Sequence, residues 1–223
     1  MIDHGGPVIP GSKAYFIYWG PPASFPSDIM KLESLAQGLS SSSYLDIMGQ
    51  YMRGASISTN FVMSASDISA PPAHGPQTSA IVSEACKMIA ANGWALDPNA
   101  LYTVVTSNFP KVNYCAWHSH GTCSGVDIKV AYIPNASGVA GCDPGNLFNC
   151  NQYSQGTRSI ADSYAHEFFE AITDPDINAW YDSRGEEIAD KCEFMYSSCV
   201  DLGRGNSWQL QEEWSNVGSV CKQ

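Results

Sequence analysis

Residues 164 to 175 read YAHEFFEAITDP, in which His166, Glu167 and Glu170 form a His-Glu-x-x-Glu pattern. On a helix, side chains four apart share a face, so His166 and Glu170 point the same way, with Glu167 about 100° around the axis. An imidazole and a carboxylate at that spacing make a candidate metal-ligand pair. The zinc-peptidase motif has histidine at both positions, and its intervening glutamate takes a proton from metal-bound water. Glu167 is therefore the candidate general base. Glu170 in place of a second histidine adds negative charge, which weakens the ion as a Lewis acid and moves preference from zinc towards calcium or manganese.

A third ligand is still needed. GEEIADKC, residues 185 to 192, offers Glu187 and Asp190 about 20 residues beyond the pair. Upstream, WHSH offers His118 and His120, which face opposite ways if extended, so only one of them suits a given site. His118 is the first choice, as a further ligand or as support for a developing oxyanion, and His120 the second. The competing reading is an amphipathic helix with Ala165, Phe169 and Ile172 on its core stripe. In that reading Pro175 ends the helix, and Asp174 and Asp176 cap the next segment.

With 22 acidic residues against 11 basic ones the formal charge is −11, which argues against nucleic acid and anionic membranes as partners. No stretch is long and apolar enough for a membrane span. The eight cysteines, at positions 86, 115, 123, 142, 150, 192, 199 and 221, imply disulfides made in an oxidising compartment. The neighbours 115/123, 142/150 and 192/199 invite local bridges, although the connectivity stays open. There is no Cys-x-x-Cys pair for a zinc knuckle and no Gly-x-Ser-x-Gly elbow, and oxidised cysteines are not nucleophiles. The opening MIDHGGPVIPG lacks the apolar run of a signal peptide, so a secreted protein whose leader lies outside this sequence is expected.

Elements to position these residues are legible. KAYFIYWG (13–20) and SISTNFVMSA (56–65) read as strands, and PSDIMKLESLAQGL (26–39) reads as a helix capped by Ser27. SYLDIMGQYM (43–52) is a shorter helix candidate, and QTSAIVSEACKMIAANG (77–93) a helix that stops at Asn-Gly. ALYTVVTSNF (100–109) and VDIKVAYIPNA (126–136) are strands, with the intervening PKVNYCAWHSHGTCSG read as a loop. SIADSYAHEFFEAITDP (159–175) is a helix, and short elements follow it. The expected fold is α/β or α+β, a single domain over residues 1–223 with a mixed central sheet, flanking helices and long disulfide-stapled loops; a zincin-like arrangement is one form it could take.

Several segments together resemble the EXORDIUM-like, phosphate-induced protein family, and its microbial His-Glu-x-x-Glu members most. They are GGPVIPGSKAYFIYWG, YCAWHSHG (114–121), HEFFEAITDPDINAWYD (166–182), GEEIADKC and LQEEWSNVGSVC (210–221), and they run in the same order over nearly the whole chain. The resemblance implies a secreted, disulfide-containing protein. For the microbial members it implies a zinc-type metallopeptidase.

The leading expectation is a secreted metal-dependent hydrolase acting on peptide or protein. His166 and Glu170 bind zinc or another divalent ion with Glu187 or Asp190, Glu167 is the base and His118 assists. The alternative is a non-catalytic protein binding cell-wall glycan or a receptor, with a structural calcium site and stacking surfaces from Trp117, Trp180, Trp208 and Trp214. A glycosidase using paired carboxylates such as Glu167 and Glu187 is a third.

Overall fold

The computed structural model describes residues 1–40, 42–203 and 205–223. Five strands form the central sheet: β1 (Gly11–Trp19), β2 (Ser58–Asp67), β3 (Ala100–Thr106), β4 (Trp117–Cys123) and β5 (Val126–Pro134). Their spatial order is β2-β1-β3-β5-β4, with β1, β2, β3 and β5 mutually parallel and β4 antiparallel along β5. The mixed sheet and flanking helices match the expected class. Parallel strands covered on both faces must be apolar throughout, and β3 is accordingly buried at every position.

Alternation along the strands divides the core. Phe16, Tyr18, Leu101, Val105 and Ile133 face one side, where they meet helices α1 (Lys31–Leu39) and α3 (Gln155–Thr173). Tyr15, Ile17, Tyr102, Val104 and Tyr132 face the other, against α2 (Thr78–Asn92). Helix α2 stops at Gly93, whose φ of 64° is the left-handed conformation that glycine adopts without strain. A Cβ on Gly121 of β4 would lie 2.7 Å from Val82 of α2, so glycine there permits their close approach.

Three expectations are corrected. The segment between β3 and β5 is only partly a loop, because residues 117–123 pair with β5 as an edge strand. Ser27 does not cap α1, which begins at Lys31 after Met30. Of the 43–52 stretch, only Ser43–Asp46 is α-helical, and Ile47–Tyr51 continues as a tighter 3-10 turn.

The cysteines do not bridge to their sequence neighbours. The pairs are Cys86–Cys123, Cys115–Cys142, Cys150–Cys199 and Cys192–Cys221, closing separations of 37, 27, 49 and 29 residues. Strand β4 explains one failure: an extended chain rises about 3.3 Å per residue, which carries Cys123 far from Cys115. The last two bridges staple the irregular final third of the chain. Among the described residues no helix is long and apolar enough to cross a membrane.

Helix α3 is anchored at both ends. Ser154 caps its start by accepting from the Thr157 N–H, and the Asp28 carboxylate accepts from the Ser154 N–H at 2.8 Å and the Thr157 hydroxyl at 2.7 Å. At its end the Asp174 carboxylate accepts from the backbone N–H groups of Asn178 and Ala179, so Asp174 does cap the next segment. Asp28→Ala strips the first anchor of its acceptor. It is expected to cost about 1–3 kcal/mol, read as a lower urea midpoint with unchanged slope.

Candidate metal centre

The inner-facing side of α3 carries His166, Glu167 and Glu170 into a cavity of about 610 Å³. The floor comes from β4 and the turn at residues 187–190. His166 Nε2 lies 3.2 Å from Glu170 Oε1, as expected for side chains one helical turn apart on the same face. Asp190 Oδ1 is 3.5 Å from the same nitrogen. His118, from β4, places Nδ1 3.4 Å from Glu167 Oε2 and 3.6 Å from Glu170 Oε2. Its Nε2 lies 3.7 Å from Glu187 Oε1.

The six residues singled out from the sequence thus converge, with a division among them. Asp190, not Glu187, joins His166 and Glu170 in one group of donor atoms. A second group comprises His118, Glu167 and Glu170. Glu187 stands beside both, its Oε1 buried and without a hydrogen-bond partner. The alternation along β4 separates the histidines as expected: His118 is buried in the cluster, while His120 pairs with Asp127 at 3.0 Å.

The chemistry of the donors fits a divalent cation. Bonds of 2.0–2.1 Å in a tetrahedral shell separate adjacent ligand atoms by roughly 3.3–3.4 Å. The contacts of His166 and His118 with Glu170, Asp190 and Glu167 span 3.2–3.6 Å and bracket that spacing. A direct charged hydrogen bond is shorter, about 2.7–2.9 Å, and His120 and Asp127 approach to 3.0 Å nearby. His166 and Asp190 are also the more open members of the cluster, with 16% and 43% side-chain exposure, so their group faces the cavity mouth.

Electrostatics points the same way. Asp162, Glu167, Glu170, Glu187, Asp190 and Glu193 all line the cavity, and among the described lining residues there is no lysine or arginine. Burial pushes the Glu187 carboxyl up to about 9, helped by the negative charge of Glu170. Burial likewise raises Glu167. On Glu170 burial acts in the same sense, yet the adjacent His166 and His118 overcome it and hold the carboxyl down at about 2. Burial disfavours charge on both imidazoles, but the carboxylates around them outweigh it and hold His118 and His166 well above the usual histidine range. The cluster demands positive charge, from protons or from a cation.

Three contributors were not singled out as part of the site from the sequence. The Gln211 side chain sets its Oε1 3.2 Å from His166 Nδ1, while its amide nitrogen donates to the Ala189 carbonyl at 2.9 Å. It thereby fixes the imidazole with Nε2 turned to Glu170 and Asp190. The Asp174 backbone carbonyl does the same for His118, 3.2 Å from Nε2. Asp162, one turn before His166, accepts from the Gln211 N–H and the Tyr196 hydroxyl. A helical projection would have found Asp162. Nothing in the sequence links Gln211 to a histidine 45 residues away.

Elsewhere, Trp208 is buried in the core and offers no stacking surface. Trp180 donates to the Tyr51 carbonyl, Lys191 lies over the Trp214 ring, and only Trp117 of the four lines the cavity. All eight cysteines are in disulfides.

No protein-family model and no curated protein matches the chain. Among solved structures it is similar to the metalloproteinase-II of Bacteroides fragilis, at 11% identity and a TM-score of 0.34. That match covers 58% of this chain and 39% of that one. So distant a likeness transfers neither fold family nor activity.

The raised Glu187 yields a prediction for chelator-treated protein. The folded chain holds this proton to about 9, whereas the unfolded chain releases it near 4.5. Its stabilising contribution is therefore present below about 4.5 and is lost as pH rises through about 9. Thermal midpoints of the chelated protein should fall across that window, and Glu187→Gln should flatten the fall.

Proposed function

We propose that this chain is a secreted metal-dependent hydrolase of the metallopeptidase type, in which His166, Glu170 and Asp190 hold a zinc ion. The observation that carries the proposal is the convergence of these donors at ligand spacing on the wall of an acidic cavity. When bound, such an ion polarises a carbonyl and lowers the pKa of water to about 7.

The chain's own residues supply the rest. Gln211 orients His166, and the Asp190 N–H donates to Glu170 Oε1 at 3.2 Å, steadying that carboxylate. Glu167 and Glu187 are the neighbouring carboxylates in reach of a proton released in the cavity. Two features favour a peptide as substrate. Strand β4 is an edge strand whose outer side has no strand partner among the described residues, and extended peptides pair with such edges. Phe109, Val112, Tyr114, Trp117 and Phe194 give the cavity an apolar wall that suits a side chain.

The four disulfides support an extracellular setting. The resemblance to the EXORDIUM-like family is part of the same proposal.

The test is zinc content and peptide hydrolysis measured side by side on wild type and variants. His166→Ala should abolish hydrolysis and the zinc bound with Glu170 and Asp190. Gln211→Ala should retain the fold and weaken zinc affinity about 10–100-fold. Wild-type protein that is free of zinc after loading and inert towards a peptide library would contradict the proposal. An ion held by oxygens alone would replace it with a structural calcium site in a binding protein.

A further inference from the structure

His118 is built as a second copy of the His166 arrangement. Each imidazole places one nitrogen against an amide oxygen: Gln211 Oε1 for His166 and the Asp174 carbonyl for His118, both at 3.2 Å. Each turns its other nitrogen towards two carboxylate oxygens. For His166 these are Glu170 Oε1 and Asp190 Oδ1, and for His118 they are Glu170 Oε2 and Glu167 Oε2. Glu170 thus presents one oxygen to each histidine.

With its N–H given to the carbonyl, the facing nitrogen carries a lone pair directed at two oxygens that also carry lone pairs. That arrangement is repulsive unless a cation lies between, whether a proton or a metal ion. At 3.4 and 3.6 Å the His118 contacts are longer than the 3.0 Å separation of His120 and Asp127, and they fall at the spacing of ligands on one ion. Two further buried oxygens beside His118, Glu187 Oε1 and Asp174 Oδ2, have no hydrogen-bond partner. Six carboxyl groups line the cavity, and no lysine or arginine stands among the described lining residues. The group of His120, Asp127 and Asp176 differs on this point, because Lys129 already bonds both aspartates there.

We propose that Glu170 bridges two divalent cations, one held with His166 and Asp190 and the second with His118 and Glu167. This rests on the metal-hydrolase reading and refines one of its roles. Glu167 becomes a ligand of the inner ion, and Glu187 is left beside it as a carboxyl group whose buried Oε1 has no hydrogen-bond partner. The ions fitting a mixed imidazole and carboxylate set of this kind are zinc and manganese. A carboxylate-bridged pair of ions can clamp both the attacking and the departing atoms of a hydrolysis.

The test counts ions on the intact chain. Protein loaded with zinc, and separately with manganese, is desalted and weighed by native mass spectrometry, with circular dichroism to confirm folding. Two ions per chain are expected in the wild type. His118→Ala and the nearly isosteric Glu167→Gln should each retain one, as should His166→Ala, while Glu170→Gln should weaken both. The manganese-loaded wild type should show the spin-coupled resonance spectrum of a close pair, and Glu167→Gln the spectrum of an isolated ion. A wild type that saturates at one ion, lost in His166→Ala and unaffected by His118→Ala or Glu167→Gln, would overturn the bridged pair and leave the single-ion hydrolase intact. Binding of no ion by any form would overturn both.

Discussion

The carboxylate of Glu170 is the point on which the site depends. Its two oxygens face different imidazoles, one on its own helix and one from the edge strand, and Oε1 also accepts the Asp190 N–H. Three segments that are distant in the sequence therefore meet at one buried side chain. A carboxylate can do this because it has two acceptor oxygens, each able to serve more than one partner. A histidine at the same position, as in the usual zinc-peptidase helix, could turn only one nitrogen to a given ion. The substitution that first made the motif look defective is what joins the two histidines.

Such a concentration of buried acid is costly, and the rest of the fold is arranged to hold it together. Helix α3 is buried over most of its length between the sheet and the C-terminal segments, and Asp28 and Asp174 fasten its two ends. Strand β4 pairs antiparallel with β5 in a register that sets His118 opposite Ala131, with its side chain turned towards α3. The turn carrying Asp190 has little regular structure of its own. It is held by the Cys192–Cys221 bridge, by Gln211 bonding the Ala189 carbonyl and by Lys191 bonding Asp182. Positional accuracy in this irregular region comes from covalent staples and local hydrogen bonds.

Much of this was legible in the sequence where a periodic pattern carried the information. The apolar runs of β1, β3 and β5 and the helical stripe of Ala165, Phe169 and Ile172 declared themselves, as did the shared face of His166 and Glu170. The alternation of His118 and His120 separated them correctly once the segment was taken as extended. It reads as loop because Gly121 interrupts the strand pattern and the pairing with β5 is a tertiary property. The choice between Glu187 and Asp190 turned on a short 3-10 turn at Asp190–Cys192 that no spacing rule anticipates. Disulfide pairing was illegible for the same reason: which cysteines meet is decided by where the sheet sends them.

What distinguishes a metal centre from a set of salt bridges here is a few tenths of an ångström in the donor spacings and the elements that bind to them. The most direct measurement is a crystal structure of zinc-loaded protein, with anomalous scattering recorded on both sides of the zinc edge. The arrangement described predicts an anomalous peak bonded to His166 Nε2, Glu170 and Asp190. Clean density with no anomalous peak in this cluster, and His166 and His118 drawn in to direct hydrogen bonds with the carboxylates, would contradict it.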